Sequence, residues 1–253
     1  SAYVKITFTP GSLGAKAGSL VLTHNAEGSP TSIALSGTGV FPGIAVGTLP
    51  AFGNVLVGSS TTDSTKVKNT GTATLSVSNI AVTGTDAGSF TATLSSLTLT
   101  AGDSAYVKVT FTPTSAGAKT ASLVLTHNAP GSPTSIPLSG TGISPAIVIS
   151  PLLSFGNVVL GSSVTDSVKV KNTGTATLSV SAATVTGADA ASFAATPATL
   201  SVPAGDSAYV KVTFTPGSLG AKAGSLVLTH NAEGSPTSIA LSGTGVFPGI
   251  VVS

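Results

Sequence analysis

The feature that most limits what this chain can fold into is an internal repeat of 103 residues. The opening segment, which begins SAYVKITFTPGSLGAKAGSLVLTHN, recurs with few changes from Ser104 and from Ser207, and the motif FGNV at Phe52 recurs at Phe155. Solenoid proteins repeat roughly every 20–50 residues, whereas about 100 residues suffice for a domain with its own core. The sequence therefore predicts a tandem array of small domains.

The repeat also sets the predicted domain bounds. The chain should contain, in order, the C-terminal half of a repeat (1–39), two complete repeats (40–142 and 143–245) and the first strand of a further repeat (246–253). The first 47 residues differ from 207–253 at three positions but from 104–150 at thirteen. We therefore expect two alternating domain types, a higher-order unit of 206 residues, and an array longer than this chain.

Composition excludes several classes of function. Only 7% of the residues are charged and the formal net charge is +2, so we expect no nucleic-acid partner. Cysteine is absent, which excludes disulfides and thiolate metal sites. The uncharged stretch 143–161 is interrupted by Pro145 and Pro151, so we interpret it as a buried strand after a domain junction and predict no membrane span.

Alternating apolar and polar residues predict β-strands throughout the repeat. Every second residue of the segment 105–111 is apolar, so one face should be buried while Tyr106 and Lys108 lie on the exposed face. Residues 65–68 alternate in the same way, with both of their lysines outward. Short apolar runs at 44–46 and 51–57, bracketed by proline and glycine, predict a split first strand at a sheet edge.

The spacing of turn residues predicts a β-sandwich. About seven or eight short strands per repeat, separated by glycine, proline and asparagine, are typical of that architecture. No segment of the chain shows a helical period. We expect Asn69 and Gly71 to form a turn because both residue types accept positive φ. The glycine strings at 37–39 and 140–142 are interpreted as exits from domains.

The order of the motifs resembles one family of repeats. The first complete repeat contains FGNVLVGSS, KNTG, the pair Gly84 and Phe90, LTAGDSAYVKVTFTP and LVLTHNAPGSPTSIPLSGTG. This combination resembles the ASH type of immunoglobulin-like repeat, of the abnormal-spindle and hydin proteins, and its bacterial relatives, which occur in tandem in large surface or secreted proteins. The resemblance implies an all-β fold of tandem immunoglobulin-like sandwiches of about 103 residues without a disulfide. It also implies a structural or interaction role without catalysis.

Residues able to carry chemistry are sparse. The three histidines, His24, His127 and His230, occupy one repeat position, so no domain has a second imidazole for zinc. The aspartates lie beside glycine, serine and threonine in predicted turns and form no D-x-D-x-D calcium loop. No serine lies in a G-x-S-x-G motif. We therefore predict no enzyme activity, no cofactor and no metal site.

Two sets of residues are candidates for structural roles. The first set is predicted to pack between domains, with both phenylalanines partly buried there, and comprises Phe41, Pro42, Pro145 and Phe247. The second set is the predicted core motif and comprises Phe52, Phe90, Phe111, Phe155, Phe193 and Phe214. A lysine–asparagine isopeptide crosslink would need a buried lysine, whereas the alternation directs the lysines outward. An intact mass lower by one ammonia per bond would detect it.

These inferences favour a structural role outside the cell. Since no Gly/Ser linker separates the domains, we expect a semi-rigid extracellular stalk, fibre or filament of a bacterial cell-surface protein. Its partners would be other copies of the repeat array, in one long chain or a homopolymer, and either could complete the opening half-repeat. The alternatives are an adhesin or carbohydrate- or protein-binding module, for which Tyr3, Tyr106 and Tyr209 offer outward aromatics, and an accessory region of a surface enzyme.

Overall fold

The computed structural model of the chain describes residues 1–150 and 154–248, and these residues form twenty β-strands, two short 3-10 turns and no α-helix. The strands are β1 (Gly14–Leu22), β2 (Thr31–Gly39), β3 (Ile44–Val46), β4 (Asn54–Leu56), β5 (Thr61–Asn69), β6 (Leu75–Thr83), β7 (Phe90–Ala92), β8 (Leu97–Leu99), β9 (Ser104–Phe111), β10 (Gly117–His127), β11 (Thr134–Ile143), β12 (Ile147–Ile149), β13 (Asn157–Val159), β14 (Val164–Asn172), β15 (Leu178–Thr186), β16 (Phe193–Thr196), β17 (Leu200–Val202), β18 (Ser207–Phe214), β19 (Gly220–His230) and β20 (Thr237–Val246). The 3-10 turns span Ala87–Ser89 and Ala190–Ser192. Of the further strand predicted at 246–253, residues 249–253 lie outside the described residues.

The strands fall into two compact units. The first comprises Ser1–Gly53, Ser60–Pro113 and Ala118–Gly140, and the second comprises Asn54–Ser59, Thr114–Gly117 and the residues from Thr141 onward. The second unit contains one complete sandwich, formed by β12–β20. The first unit contains the opening hairpin β1–β2 and most strands of an equivalent sandwich.

The sandwich of the second unit has a four-stranded sheet, in the order β12-β14-β18-β16, and a five-stranded sheet, in the order β13-β20-β19-β15-β17. Neighbouring strands are antiparallel except β13 and β20, which are parallel. Both sheets contribute to one core, in which Val210, Val212 and Phe214 of β18 and Leu226 and Leu228 of β19 are fully buried. Because side chains alternate along a strand, residues two apart reach the same core.

The preceding repeat forms an equivalent sandwich, with sheets in the orders β3-β5-β9-β7 and β4-β11-β10-β6-β8. Val107, Val109 and Phe111 of β9 are fully buried, whereas Tyr106, directly before Val107, is 60% exposed. The alternation in the segment 105–111 therefore predicted the buried face correctly. The predicted all-β fold of tandem sandwiches is confirmed.

The split first strand is also present, and its two halves join different sheets. In the second sandwich β12 pairs with β14 in one sheet, and β13 pairs with β20 in the other. Asn157 lies opposite Thr244 and Val159 opposite Val246 in this parallel pair. The two halves of the first strand thus belong to different layers of the sandwich.

The opening copy of the repeat has the same pattern of residues in a different environment. β1 and β2 pair as an antiparallel hairpin, and residues 1–10 form no strand. Val4, Ile6 and Phe8 are 64%, 49% and 50% exposed, whereas their counterparts in both complete repeats are fully buried. The half-repeat therefore exposes an apolar face, because residues 1–39 contain no counterparts of the other strands that cover this face in a complete repeat.

Candidate functional site

Each sandwich has three phenylalanine rings in contact with one another. In the first sandwich Phe90 of β7 stacks on Phe111 of β9 with ring centroids 4.8 Å apart. Phe52 lies 5.7 Å from Phe111 and 5.8 Å from Phe90. The equivalent centroid distances in the second sandwich are 4.9, 5.6 and 6.0 Å. The six predicted core phenylalanines are therefore brought together as two sets of three, each joining the split first strand to the four-stranded sheet.

A glycine in the last strand of each sandwich makes room for the central ring. A Cβ atom added at Gly140 would lie 2.5 Å from the ring of Phe111, and one added at Gly243 would lie 2.4 Å from the ring of Phe214. Only a residue without a side chain lets the strand pass so close to the ring. Residues 140–142, interpreted from the sequence as a domain exit, lie inside β11, the last strand of the first sandwich.

A buried asparagine holds together the end of each sandwich where the repeat begins. The Asn69 side chain is fully buried, and its Nδ2 group donates to the carbonyl oxygens of Ala73, at 2.8 Å, and Leu99, at 3.0 Å. Its Oδ1 atom accepts from the backbone N–H groups of Gly71, at 2.9 Å, and Gly43, at 3.3 Å. One amide thus satisfies four backbone groups in three separate segments.

Asn172 makes the same four contacts in the second sandwich. It donates to Ala176 at 2.8 Å and Val202 at 2.9 Å, and it accepts from Gly174 at 2.9 Å and Ala146 at 3.3 Å. We call this arrangement, formed by Asn69 in one sandwich and Asn172 in the other, the asparagine clamp.

The asparagine clamp corrects the turn predicted from the sequence. Neither Asn69 nor Gly71 adopts a positive φ. Asn69 instead ends β5 with its side chain in the core. Glycine is required at position 71 because a Cβ atom there would lie 2.3 Å from the backbone of Phe41 and of Gly43. The recurrence of N-T-G in both complete repeats could have indicated a special role for this asparagine. Its partners could not be identified from the sequence because two of them are distant along the chain.

Three of the predicted junction residues, Phe41, Pro42 and Pro145, belong to segments that bond to this clamp or to the loop beside it. The Phe41 carbonyl accepts from the N–H groups of Thr72 and Ala73, at 2.9 and 3.1 Å. Phe41 is 38% exposed and Phe247 is 68% exposed. Pro42 is half-buried, and Pro145 is buried. Packing of these four residues between domains stays a prediction.

The histidine of each repeat stabilises the turn that follows its own strand. In the second sandwich the His230 backbone N–H donates to the Ser235 hydroxyl at 2.9 Å, and Nε2 lies 2.9 Å from the hydroxyl of Thr237. Its Nδ1 atom accepts from the Ala232 N–H at 3.3 Å. Only 7% of His230 is exposed, and burial lowers its pKa below the ordinary value of 6.5. These contacts give the imidazole a structural role.

Acidification should therefore destabilise the second sandwich. Because its pKa is lowered on folding, His230 binds a proton less readily than it does in the unfolded chain. Its contribution to stability is complete above pH 6.5 and is lost as the pH falls from 6.5 toward the folded-state pKa. Urea unfolding at pH 7.5 and at pH 5.5, followed by circular dichroism, measures this loss. The variant His230→Gln does not titrate, so an equal loss in that variant would contradict the assignment.

The acidic residues also serve turns and strand ends. Asp86 accepts from the N–H of Thr120 at 3.0 Å and lies 3.5 Å from the Lys119 amine. Asp103 accepts a hydrogen bond from the Thr100 hydroxyl. Within residues 1–150 and 154–248, no three histidine, aspartate or glutamate side chains come together as metal ligands. Across the same residues, no helix has the length and apolar character needed to cross a membrane.

Comparison with known proteins gives the family of these domains. Residues 143–238 match the family model ASH, described as abnormal spindle-like microcephaly-associated, ASPM-SPD-2-Hydin. Residues 48–143 match the model of Cep192 domain 4. None of the curated proteins compared with the chain matches it.

Several solved structures are similar to the chain at low identity. A protein of unknown function from Porphyromonas gingivalis W83 is 15% identical, with 79% of this chain and 99% of that chain covered and a TM-score of 0.35. The ASH/PapD-like domain 7 of human CEP192 is 16% identical, with 57% and 95% covered and a TM-score of 0.29. The E. coli chaperone DraB is 12% identical, with 79% and 98% covered and a TM-score of 0.32. The family models, one on each complete repeat, carry the assignment: the repeats of this chain are ASH-type immunoglobulin-like domains.

Proposed function

We propose that the chain is part of a semi-rigid extracellular stalk or filament made of tandem ASH-type domains. The domains would span 40–142 and 143–245, with 1–39 as the C-terminal half of a preceding repeat and 246–253 as the first strand of a following one. Neighbouring repeats, in one long chain or in a homopolymer, would be its partners. An immunoglobulin-like structural or binding module is the coarser description that the family supports.

The observation that carries this proposal is the shortness of the connection between repeats, which is bonded to the second sandwich. β11 ends at Ile143 and β12 begins at Ile147, so three residues separate the strands. The connection is itself hydrogen-bonded, because the Ser144 carbonyl accepts from Thr175 and Ala176, at 2.8 and 3.1 Å. A flexible linker would leave these backbone groups to solvent. Three residues anchored in this way support a stiff junction.

The composition of the repeat supports a passive role outside the cell. With 7% charged residues, no cysteine and no metal cluster among the described residues, the domains offer few groups for catalysis. The alternation of two domain types supports a periodic unit of 206 residues. We propose that the stalk lies at a bacterial cell surface and has no enzyme activity.

Junction stiffness can be measured by placing one spin label at the same position in each complete repeat. The chain has no cysteine, so Ser95→Cys and Ala198→Cys give a specific pair at exposed positions related by the repeat. Pulsed electron paramagnetic resonance should show one narrow distance distribution. A matched variant with a ten-residue Gly/Ser insertion after Ile143 should broaden it. A distribution that is already broad without the insertion would contradict the stalk.

Electron microscopy of the native assembly tests the array itself. Strands of six to eight residues predict about 35–45 Å per domain once turns are added, so the alternating unit should give an axial period of about 70–90 Å. A beaded filament with that period is expected. Short monomeric rods in the native material would contradict the filament. The stiffness of the junction between repeats would then still be supported by a narrow distance distribution in the spin-label experiment.

A further inference from the structure

The outer face of the four-stranded sheet carries the same four exposed side chains in both sandwiches. In the first sandwich they are Lys66, Lys68, Tyr106 and Lys108, and in the second they are Lys169, Lys171, Tyr209 and Lys211. We call each set the Lys–Tyr face. All eight side chains are exposed, with Tyr106 at 60% and Tyr209 at 54%.

Strand register places the three lysines of each face around one aromatic ring. Lys66 lies directly opposite Tyr106, and Lys68 lies opposite Ser104, on the diagonal from the ring. Lys108 follows two residues after Tyr106 on the same strand, about 7 Å away on the same face. The second sandwich repeats this register, with Lys169 opposite Tyr209. The register therefore places three lysine residues next to each ring, on the same face of the sheet.

No acid within the described residues neutralises these lysines. The ion pairs found there join Lys119 to Asp86 and Lys222 to Asp189, both outside the Lys–Tyr face. Asp63 has the opposite orientation on β5 and accepts from the N–H of Ser64 at 2.7 Å. Asp103, in the turn before β9, accepts from Thr100. Each face thus carries three positive charges in a chain whose formal net charge is only +2.

A row of hydroxyl groups continues the face along the same two strands. The hydroxyls of Thr62 and Thr110 lie 2.8 Å apart across β5 and β9, and those of Ser60 and Thr112 also lie 2.8 Å apart. The second sandwich has the equivalent pairs at 2.8 and 2.7 Å. The surface therefore offers cations and an aromatic ring at one end and hydroxyls at the other.

We propose that the Lys–Tyr face binds an acidic polysaccharide, one that carries carboxylate or sulfate groups on its sugar rings. The flat face of a tyrosine ring packs against the apolar C–H face of a sugar, and the surrounding amines pair with the anionic groups. The hydroxyl pairs match the hydroxyls of the next sugar. This surface function goes beyond the stalk and does not depend on it.

The observations favour a glycan over other polyanions. Membrane surfaces attract clusters of about four to eight basic residues, more than the three of each face. Nucleic-acid surfaces use arginine for bidentate phosphate contacts, and all ten basic residues of this chain are lysines. One exposed ring with flanking charges and hydroxyls is matched to a charged sugar.

Isothermal titration of the whole chain with polygalacturonate, and with neutral dextran as the uncharged control, tests the proposal. The chain should bind polygalacturonate and not dextran, and binding should weaken as salt rises because the contacts are ionic. The pair Tyr106→Ala and Tyr209→Ala should lower the affinity about tenfold, in line with the loss of an aromatic platform. The pair Tyr106→Phe and Tyr209→Phe, which keeps both rings, should retain most of it.

A charge-matched control separates the Lys–Tyr face from net charge. Lys66→Gln with Lys169→Gln should weaken binding several-fold. Lys119→Gln with Lys222→Gln also removes two positive charges, but from the five-stranded sheets, and should leave the affinity unchanged. Equal losses in the two variants would overturn the proposal. Absence of binding to polygalacturonate would also overturn it, because it would show that there is no site. Equal affinity for duplex DNA or for vesicles of phosphatidylglycerol would overturn it too, because it would show attraction between charges without recognition of a sugar.

Discussion

Replacing Phe214 by alanine should lower the free energy of unfolding of the second sandwich by about 3–5 kcal/mol, the range for large aromatic side chains in cores. The ring is fully buried, stacks on Phe193 at 4.9 Å, and lies against Gly243, where the strand backbone cannot follow a smaller side chain inward without losing its pairing. Hydrogen exchange of the β14, β18 and β20 amides measures the change in this sandwich alone.

The opening copy supplies a matched control for this substitution. Phe8 occupies the same repeat position in nearly the same local sequence, but it is 50% exposed. Phe8→Ala should therefore change the exchange of the β1 and β2 amides by less than about 0.5 kcal/mol, as for other surface substitutions. A loss below about 1 kcal/mol for Phe214→Ala would contradict the central role of the ring.

Replacing Asn172 by alanine should destabilise the same sandwich by about 3 kcal/mol or more, because each buried backbone group left without a partner costs about 1–3 kcal/mol. The side chain bonds to two buried groups of this kind, the carbonyls of Ala176 and Val202, and to two partly buried ones, the N–H groups of Gly174 and Ala146. Urea unfolding and hydrogen exchange near β12 and β17 should both report the loss.

Asn231 is the control for the asparagine clamp. Its side chain also bonds to two backbone groups, the N–H of Ser179 at 2.8 Å and the carbonyl of Thr177 at 3.2 Å, but it is exposed. Water can replace both contacts, so Asn231→Ala should cost about 1 kcal/mol or less. Equal effects of the two substitutions would show that burial of the Asn172 amide contributes nothing.

Alternation of apolar and polar residues predicted which side chains of a strand face the core. It did not predict whether those side chains are buried. Val107 and Phe111 are buried as the period of two requires, and Tyr106 is exposed. Val4 and Phe8 carry the same alternation but are exposed, because a period in one strand cannot supply the strands that pack on it. The sequence thus predicted orientation, while burial depended on the rest of the repeat.

The asparagine clamp and the glycine under each ring could not be derived from local patterns. Asn69 reads as a turn residue, since asparagine followed by glycine favours turns, yet its partners Gly43 and Leu99 are 26 and 30 residues away. Gly140 reads as a break after a strand, yet it contacts Phe111 from another strand. Both roles arise from tertiary contacts. Their recurrence at the repeat spacing was the signal that could have separated them from ordinary turn residues.

The parallel pairing of β13 with β20 determines how a domain responds to tension along the chain. β13 lies near the start of the sandwich and β20 at its end, and hydrogen bonds join them from Phe155–Ser242 to Leu160–Val246. When the two ends are pulled apart, parallel neighbours slide past each other, so these bonds are loaded together in shear instead of opening one at a time. In each domain, this parallel strand pair therefore resists unfolding when the chain is pulled from its two ends.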